Sequence, residues 1–372
     1  MKWIRIIFIL LFMGLLYFPL VNNYAHFFMR TYEGIVPTVP RIILNRLDAY
    51  PKQFEDYFDN SLEIKPFLVT ANSELKVRAL HVSPDPEKIV LGRHGWLFMG
   101  GRHVDQFRGT NLFSAAELVS FKRILDNRAI YAREKYGSRF YFLLAPLKHT
   151  IYPEFLPSSV KKVTGKTRYD QVLELLKNDT LIRTVDLRTD LLKLKSSHIL
   201  YYKTDNHWND IGGWIAYNRI YQLLHEDFHN IPMTDKSIFV MDSSETLVGG
   251  EAAMMNAGET YSEQRFDYKV TERCKAKEGP KHGYKAPPEF PWPDDFEHLK
   301  FTGDTSLPNA LIIRDSFTDA ILPFLEENFN RSVYIFDSWH YRSNREVLEN
   351  EKPQVVMYIV LESNLNALFE TE

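Results

Sequence analysis

The pattern of apolar and polar positions divides the chain into a short apolar beginning, a helical segment and a long region in which strands and helices alternate. Residues 6–21 are almost wholly apolar, and residues 42–80 carry apolar side chains at helical spacing. Strand patterns then occur at 140–144, 181–187, 309–313, 333–336 and 355–361, and helical patterns at 115–135, 168–177, 210–225, 317–329 and 341–350. This alternation predicts an α/β fold with a mostly parallel sheet and helices on both of its faces.

Two segments depart from the alternation. Residues 89–99 predict a short strand or hairpin, and between residues 233 and 307 the periodicity fades into a stretch rich in proline and glycine. A long irregular segment of this kind is often a lid or a substrate-binding loop. It could equally be a β-rich surface excursion without contact to substrate. We therefore divide the chain into a targeting segment (1–28), a helical lead-in (29–90) and a main domain (91–372) with an insertion at about 233–307.

The first 28 residues are typical of a membrane-targeting segment. Lys2 and Arg5 precede an apolar run that continues to Val21. The run is longer than a signal-peptide core and close to the roughly 20 residues that span a bilayer. Ala25 stands alone among large side chains, so there is no small-x-small cleavage motif. We predict an uncleaved N-terminal anchor, with the N-terminus in the cytoplasm and the rest of the chain extracytoplasmic, in the periplasm.

Composition indicates a folded domain outside the cytoplasm. The formal net charge of −3 gives no footprint for nucleic acid. The single cysteine, Cys274, cannot form an intrachain disulfide, so stability must come from an apolar core, which a chain of this size can supply. The 20 tyrosines and 26 phenylalanines serve either core packing or stacking against carbohydrate. The sequence contains no Walker motif and no Gly-rich dinucleotide fingerprint, and we expect no cofactor.

Three residues carry the candidate chemistry. Asp205 and His207 stand two apart in the turn before the helical pattern at 210–225, so both can face one pocket. Ser316 lies between the strand pattern at 309–313 and the helical pattern at 317–329, where backbone amides could face a developing oxyanion. A histidine that takes the serine proton and a carboxylate that orients the histidine make a serine triad.

Each part of that triad has a simpler explanation. Short Asp-x-His strings also occur as metal ligands or surface turns, although no third ligand stands at an informative spacing, and we expect no metal. Ser316 or Asp315 could merely be a helix N-cap, a role in which both residue types are common. Trp208, next to the histidine, is predicted to bury its ring beneath the Asp-His turn and hold the imidazole.

Five motifs in a fixed order extend the pattern over residues 50–361. They are Gly-Trp-Leu-Phe at 95–98, the Pro-x-Lys to Tyr-Pro-Glu segment at 145–157, Asp-x-His-Trp at 205–208, Asp-Ser-Phe at 315–317 and Lys-Pro-x-Val-Val at 352–356. With these motifs the chain resembles the SGNH-hydrolase-like acetyltransferases of the alginate and bacterial cellulose acetylation systems. The resemblance implies that 91–372 is a catalytic domain with an SGNH-hydrolase-like (flavodoxin-like) fold. Its Asp-His pair precedes the serine, as in a circular permutation of the usual order.

The resemblance also implies a function. It makes Asp205, His207 and Ser316 the catalytic residues of an extracytoplasmic O-acetyltransferase that modifies a secreted polysaccharide through an acetyl-serine intermediate. Since acetyl-coenzyme A is cytoplasmic, it implies a membrane-bound O-acyltransferase partner that supplies acetyl groups. Two alternatives stay open: a polysaccharide acetylesterase, which forms the same acyl-enzyme, and a catalytically silent module that binds polysaccharide or scaffolds an export complex.

Two cationic residues are candidates for substrate binding. Lys148 follows a predicted strand and could bind an acidic sugar or another carboxylate, or be a structural lysine. Arg314 occupies a position where many SGNH proteins have glycine, and it could shape the oxyanion site or meet substrate charge. The alternative for Arg314 is an ion pair with Asp304 or another loop acid.

Overall fold

The computed structural model describes residues 2–28, 37–243, 245–338, 340–342 and 345–371, and the chain forms two compact units, Met1–Pro84 and Asp85–Glu372. The first unit contains the helices α1 (Lys2–Ala25), α2 (Tyr50–Ser61) and α3 (Lys65–Leu75), a 3₁₀ turn at Leu44–Arg46 and a π-helical turn at Lys76–Leu80. The predicted helical character of residues 42–80 is therefore confirmed.

Helix α1 is long and apolar enough between Trp3 and Ala25 to cross a bilayer, and its most apolar part is not buried by the protein. A signal sequence near an N-terminus has the same character. Beyond the helix, the rings of Phe28 and Phe67 stack with centroids 4.4 Å apart. The Asn23 side chain donates to Ser61 O at 3.1 Å. These contacts join the end of α1 to the rest of the first unit.

The second unit alternates strands and helices. Its strands are β1 (Ile89–Leu91), β2 (Leu97–Met99), β3 (Arg139–Ala145), β4 (Ile182–Arg183), β5 (Phe239–Asp242), β6 (Thr246–Leu247), β7 (Glu263–Gln264), β8 (Asp267–Val270), β9 (Lys277–Glu278), β10 (Glu297–Phe301), β11 (Ala310–Arg314), β12 (Arg331–Phe336) and β13 (Val355–Leu361). Its α-helices are α4 (Arg102–Arg108), α5 (Ala115–Tyr136), α6 (Lys148–Ile151), α7 (Arg168–Leu176), α8 (Arg188–Leu194), α9 (Asp210–Asp227), α10 (Gly250–Met254), α11 (Leu322–Leu325) and α12 (Arg345–Glu351). Short 3₁₀ segments lie at Pro153–Phe155, Lys236–Ile238, Pro293–Asp295, Ser316–Thr318, Glu326–Asn328 and Glu362–Thr371.

A seven-stranded sheet in the order β4-β3-β13-β11-β12-β10-β9 forms the centre of the second unit. The first five strands run parallel, while β10 and β9 pair antiparallel at one edge. Strand β11 is buried along its whole length, and its alternate residues enter two apolar clusters, one on each face of the sheet. Helices α5, α7 and α12 contribute to one cluster, and α8, α9 and α11 to the other. The predicted sheet with helices on both faces is confirmed.

The segment after β11 differs from its predicted helix. Instead of one helix over 317–329, a 3₁₀ turn, the single turn α11 and a second 3₁₀ turn follow one another. Pro323 lies in this run, and its ring removes a backbone donor that a continuous helix needs. Phe317, Ile321, Leu325 and Phe329 are nevertheless buried. The apolar spacing thus identified the buried residues correctly and the secondary structure incorrectly.

Two further boundaries also differ. The strand predicted at 181–187 is reduced to the two residues of β4, and the helix predicted at 341–350 begins only at Arg345. The insertion at 233–307 is more ordered than its sequence indicated. It contains the small antiparallel pairs β5–β8 and β6–β7, and its last part supplies β9 and β10 to the central sheet.

Candidate active site

The serine lies where the central sheet ends. Ser316 follows β11 by two residues and begins the 3₁₀ turn that leads away from the sheet. The preceding Asp315 is buried, and its Oδ1 accepts the Phe317 N–H at 2.9 Å. Its Oδ2 accepts the Leu361 N–H from β13 at 2.7 Å and the Tyr341 hydroxyl at 2.6 Å. Asp315 therefore ties the turn that carries the serine to the neighbouring strand, as well as capping it.

The acid and the histidine lie in the loop before α9. This loop is closed by a single bridge between Tyr201 and Trp208, and Asn209 caps the helix by accepting the Gly212 N–H at 3.0 Å. Parallel β-strands bring their carboxyl ends to one edge of the sheet, where connecting loops meet. Residues 109 positions apart in the chain therefore become neighbours.

The three side chains form a continuous relay. Ser316 Oγ lies 2.8 Å from His207 Nε2, and His207 Nδ1 lies 2.5 Å from Asp205 Oδ1. The same oxygen of Asp205 accepts the His207 N–H at 3.0 Å, and Asp205 Oδ2 accepts the Gly250 N–H at 2.7 Å. Both carboxylate oxygens are thus fixed, and the imidazole presents one nitrogen to the acid and the other to the serine.

The environment shifts the pKa values of this pair in opposite directions. Burial alone would raise the pKa of Asp205, but hydrogen bonds from His207 and Gly250 and the charge of His207 outweigh burial and lower it. Burial would lower the pKa of His207, but the hydrogen bond to Asp205 and its negative charge raise it. Asp205 therefore stays ionised and favours the imidazolium form of His207, which is the state formed when histidine takes a proton from serine.

Trp208 connects the two loops. Its ring is buried, and its indole N–H donates to Phe317 O at 2.7 Å. The His207 ring also lies against Phe317, with ring centroids 4.8 Å apart. The predicted burial of Trp208 beneath the Asp-His turn agrees with this arrangement.

The structure places Lys148 beneath the Asp205 loop and not in the cleft. Its side chain is fully buried, and Nζ donates to the Asp205 carbonyl at 2.6 Å and to Glu251 Oε2 at 2.7 Å. Longer bonds run to the carbonyls of Tyr202 and Lys203. Because these acceptors surround the ammonium, the side chain cannot reach a bound sugar, and the substrate-binding hypothesis for Lys148 gives way to a structural role.

Arg314 is also engaged within the protein. Its guanidinium pairs with Asp319 at 2.5 Å and lies over the ring of Phe336, 4.6 Å from its centroid. A second bond reaches the Asp315 carbonyl at 3.3 Å. The side chain is only 7% exposed. The ion-pair alternative therefore describes Arg314, with Asp319 as the loop acid rather than Asp304.

A cleft of about 410 Å³ opens beside the relay. It is lined by Tyr202, Asp205, His207, Trp208, Asp210, Leu247, Arg265, Asp267, Tyr268, Ser316, Asp319 and Ala320. Four of these residues, at positions 247, 265, 267 and 268, belong to the insertion. Across the described residues, no group of three or more histidine, cysteine, aspartate or glutamate side chains is arranged to hold a metal ion.

The sequence did not reveal the residues of the insertion that hold the Asp205 loop. Glu263 accepts the N–H groups of Lys203 at 2.9 Å and Thr204 at 2.6 Å, and Gly249 and Gly250 approach the same loop. A Cβ on Gly249 would lie 2.2 Å from the Thr204 carbonyl oxygen, so only glycine fits. The glycine pair before an acidic residue was the one available signal, and it does not indicate a partner by itself.

Comparison with known proteins gives the family. The model of the family described as SGNH hydrolase-like domain, acetyltransferase AlgX, matches residues 89–282, just over half of the chain. The chain belongs to this family. The predicted membership, the SGNH-hydrolase-like fold and an enzyme of the acetyltransferase type are thereby confirmed. The matched segment includes Asp205 and His207 and ends before Ser316, so the case for the serine rests on geometry.

The fold is similar to that of solved structures, and the agreement rests on the first two of the three that follow. PatB1 from Bacillus cereus is 16% identical, with a TM-score of 0.53 over 74% of this chain and 96% of PatB1. A DHHW family protein from Eubacterium siraeum is 16% identical, with a TM-score of 0.50 over 75% of this chain and 93% of its own. The O-acetyltransferase domain of AlgJ from Pseudomonas putida is 16% identical, with a TM-score of 0.48 over 74% and 91% of the two chains. A search of curated protein sequences gave no match.

Proposed function

We propose that this family member is an extracytoplasmic O-acetyltransferase that modifies a secreted polysaccharide through an acetyl-serine on Ser316. The observation that carries the proposal is the relay in which Ser316 Oγ lies 2.8 Å from His207 Nε2 and His207 Nδ1 lies 2.5 Å from Asp205 Oδ1. Both distances lie within the hydrogen-bonding reach that a nucleophile and its base require. A helix N-cap role for Ser316 would need no histidine at this position.

The first half of the reaction loads the serine. Ser316 Oγ attacks the acetyl carbonyl of the donor while His207 Nε2 takes the hydroxyl proton, and the new C–O bond gives a tetrahedral oxyanion. Asp205 stabilises the imidazolium that forms. His207 then passes its proton to the leaving group of the donor as the old bond breaks, and the acetyl group remains on Ser316.

The second half repeats these steps with a sugar. A hydroxyl of the polysaccharide gives its proton to His207 and attacks the acetyl-serine, and the collapse of the second tetrahedral intermediate returns the proton to Ser316 Oγ. Water in the same place would give acetate instead. Transferase and esterase therefore differ only in whether a sugar hydroxyl or water attacks the acetyl-serine in the cleft.

One backbone amide is available to the oxyanion. The Phe317 N–H is already taken by Asp315 Oδ1, whereas the Ser316 N–H has no acceptor among the described residues. We assign the Ser316 N–H as one oxyanion donor. Preorganised donors of this kind contribute about 3–4 kcal/mol each to transition-state stabilisation in serine enzymes.

Separate observations support the binding of the sugar acceptor and the supply of the acetyl donor. Four insertion residues line the cleft, which supports the substrate-binding hypothesis for this segment. The apolar helix Trp3–Ala25 supports a membrane anchor that keeps the enzyme beside its donor. A membrane-bound O-acyltransferase partner would supply acetyl groups outside the cytoplasm, as the family resemblance implies.

Acetylation of the full-length chain in detergent micelles tests the proposal. An activated acetyl ester is added with and without oligosaccharide, and intact and peptide masses are recorded with acetate release. We expect one acetyl group on Ser316, lost in Ser316→Ala and strongly reduced in His207→Ala, and transferred faster when oligosaccharide is present. Ser197→Ala is the matched control, because the exposed Ser197 hydroxyl also lies against a histidine, 2.9 Å from His198 Nδ1.

The other outcomes separate the alternatives. Turnover through an acetyl-Ser316 that ignores added sugar would make the protein an esterase. An acetyl group found elsewhere, with Ser316→Ala unaffected, would remove the serine from the mechanism. An inert protein in every variant would favour a binding or scaffold module.

A further inference from the structure

The charges around the cleft are unevenly arranged. The carboxylates of Asp205, Asp210, Asp267 and Asp319 line it, and the guanidinium groups near them belong to Arg265 and Arg314. Arg265 Nε lies 2.7 Å from Asp267 Oδ2, and Arg314 pairs with Asp319. Both arginines are thus paired with protein carboxylates, and Asp205 is paired with His207. Of the four lining carboxylates, Asp210 is left without an ion pair among the described residues, and it makes the surplus charge of the cleft negative.

Asp210 contributes to that surplus. It is the first residue of α9, and its Oδ2 accepts the Tyr268 N–H at 2.5 Å. Burial is the main reason that its pKa is raised to about 6, and the charge of Asp267 adds to the effect. Asp210 is therefore mostly ionised at neutral pH. No salt bridge to its carboxylate occurs within the described residues.

A polymer of uronic acids would bind weakly in this cleft because of electrostatic repulsion. Each sugar carboxylate would enter a field of its own sign, and at Arg265 it would compete with Asp267 and Glu245, which already pair with the guanidinium. Sugar hydroxyl groups fit better, because ionised carboxylates accept hydrogen bonds and cannot donate them. An ammonium group on an amino sugar would additionally be attracted to Asp210 and Asp267.

We propose that the cleft beside Ser316 accepts an uncharged or amino-bearing sugar chain and discriminates against polyuronates, and that Asp210 and Asp267 are its specificity-determining residues. The inference rests on the proposed function, since it assigns the acceptor to this cleft. The inference concerns which sugar chains can bind in the cleft. The carboxylates are assigned to an acceptor site because the Ser316–His207 pair lies beside them.

Binding measurements test the inference without requiring turnover. The full-length Ser316→Ala chain in detergent is titrated with three oligosaccharides of equal length and linkage, built from glucose, glucosamine or glucuronic acid. We expect the neutral and amino-bearing chains to bind and the uronate chain to bind at least about fivefold more weakly at low salt, the scale of one exposed ion pair. Added salt should narrow this gap because it screens the repulsion.

Two substitutions make the test specific. Asp267→Asn removes a repelling charge and the nearer partner of Arg265, leaving Glu245 at 3.9 Å, so we expect uronate affinity relative to neutral affinity to rise about fivefold. Asp210→Asn removes a charge that forms no salt bridge among the described residues, and its effect should be smaller. Asp304→Asn makes the same change outside the cleft lining and should leave the ratio unaltered.

The results distinguish this inference from the proposed function. Uronate binding equal to or tighter than neutral binding at low salt overturns the inference, and so does an unchanged ratio in Asp267→Asn or no binding of any chain. Acetylation of Ser316 by the activated ester is read separately on the wild-type chain. Ser316 can be acetylated even if the uronate chain binds as tightly as the neutral chain, and the predicted order of affinities can hold even if Ser316 is not acetylated.

Discussion

The two loops that meet at the candidate site are held in different ways. The turn that carries Ser316 is fixed by the central sheet, because the Asp315 carboxylate accepts donors from its own turn, from β13 and from Tyr341. The loop of Asp205 and His207 is fixed by polar contacts from distant segments: Gly250 and Glu263 in the insertion, and Lys148 after β3. One loop depends on regular strand alignment, and the other on a few hydrogen bonds over long sequence distances.

This difference has a thermodynamic consequence. The Lys148–Glu251 pair is removed from water, with side chains 0% and 1% exposed, and Glu251 Oε1 has no hydrogen-bond partner in the described part of the chain. Burial raises the pKa of Glu251 to about 7 even though Lys148 lowers it. A buried pair of this kind is costly to break, since removal of one partner leaves the other charge unpaired. The Asp205 loop is therefore the more vulnerable of the two.

The largest expected effect follows from removing Lys148. Lys148→Met should lower the free energy of unfolding by about 3–5 kcal/mol, measured by urea denaturation followed by circular dichroism. The variant Lys148→Met/Glu251→Gln should recover much of this loss, because the buried charge is gone. In the single variant, the raised pKa of Glu251 means that the folded state binds more protons than the unfolded state. Its deficit should shrink as pH falls from about 8 to about 5.

The control for Lys148→Met is an exposed salt bridge with the same distance between nitrogen and oxygen. Lys166 and Glu174 also lie 2.7 Å apart, but their side chains are 61% and 69% exposed. Lys166→Met should cost no more than about 1 kcal/mol. Equal losses in Lys148→Met and Lys166→Met would contradict the importance assigned to the buried pair.

A smaller effect is expected at the sheet-held turn. In Asp315→Asn the new amide group must face either the Phe317 N–H or the Leu361 N–H and Tyr341 hydroxyl, so at least one buried donor loses its acceptor. The free energy of unfolding should fall by about 1–3 kcal/mol, partly offset because a buried charge is removed. The same urea titration measures it, with Asp304→Asn as an exposed control. A loss larger than that of Lys148→Met would reverse the ranking of the two loops.

The smallest effect is a displacement of the pH profile. His207 must be neutral to take the serine proton, and its pKa is raised by Asp205 despite burial. The rate of Ser316 acetylation should therefore rise with pH and reach half its maximum above pH 6.5, the ordinary histidine value. His198→Gln, which removes an exposed histidine, should leave the midpoint unchanged. A midpoint below 6.5 in the wild type would mean that Asp205 does not govern His207.

Local patterns in the sequence determined the regular parts of the protein. Strand β13 and the start of α5 lie where the apolar spacing predicted them, because their burial follows from the pattern of consecutive residues. Asp205, His207 and Ser316 could be proposed as a triad from the sequence because they lie in the connections next to periodic segments. Pro323 shows the limit of periodicity. The apolar spacing of 317–329 correctly indicated which residues are buried, but it did not indicate that the helix is interrupted.

Tertiary structure alone decided which polar residues support the site and which face the cleft. Lys148 and Glu251 are 103 positions apart, and nothing near either residue indicates the other. Arg265 and Asp267 became cleft residues because the insertion folds back against the loop of Asp205, a long-range contact without a period in the sequence. Apolar burial is encoded by local spacing, whereas the pairing of buried charges depends on which distant segments the completed fold brings together.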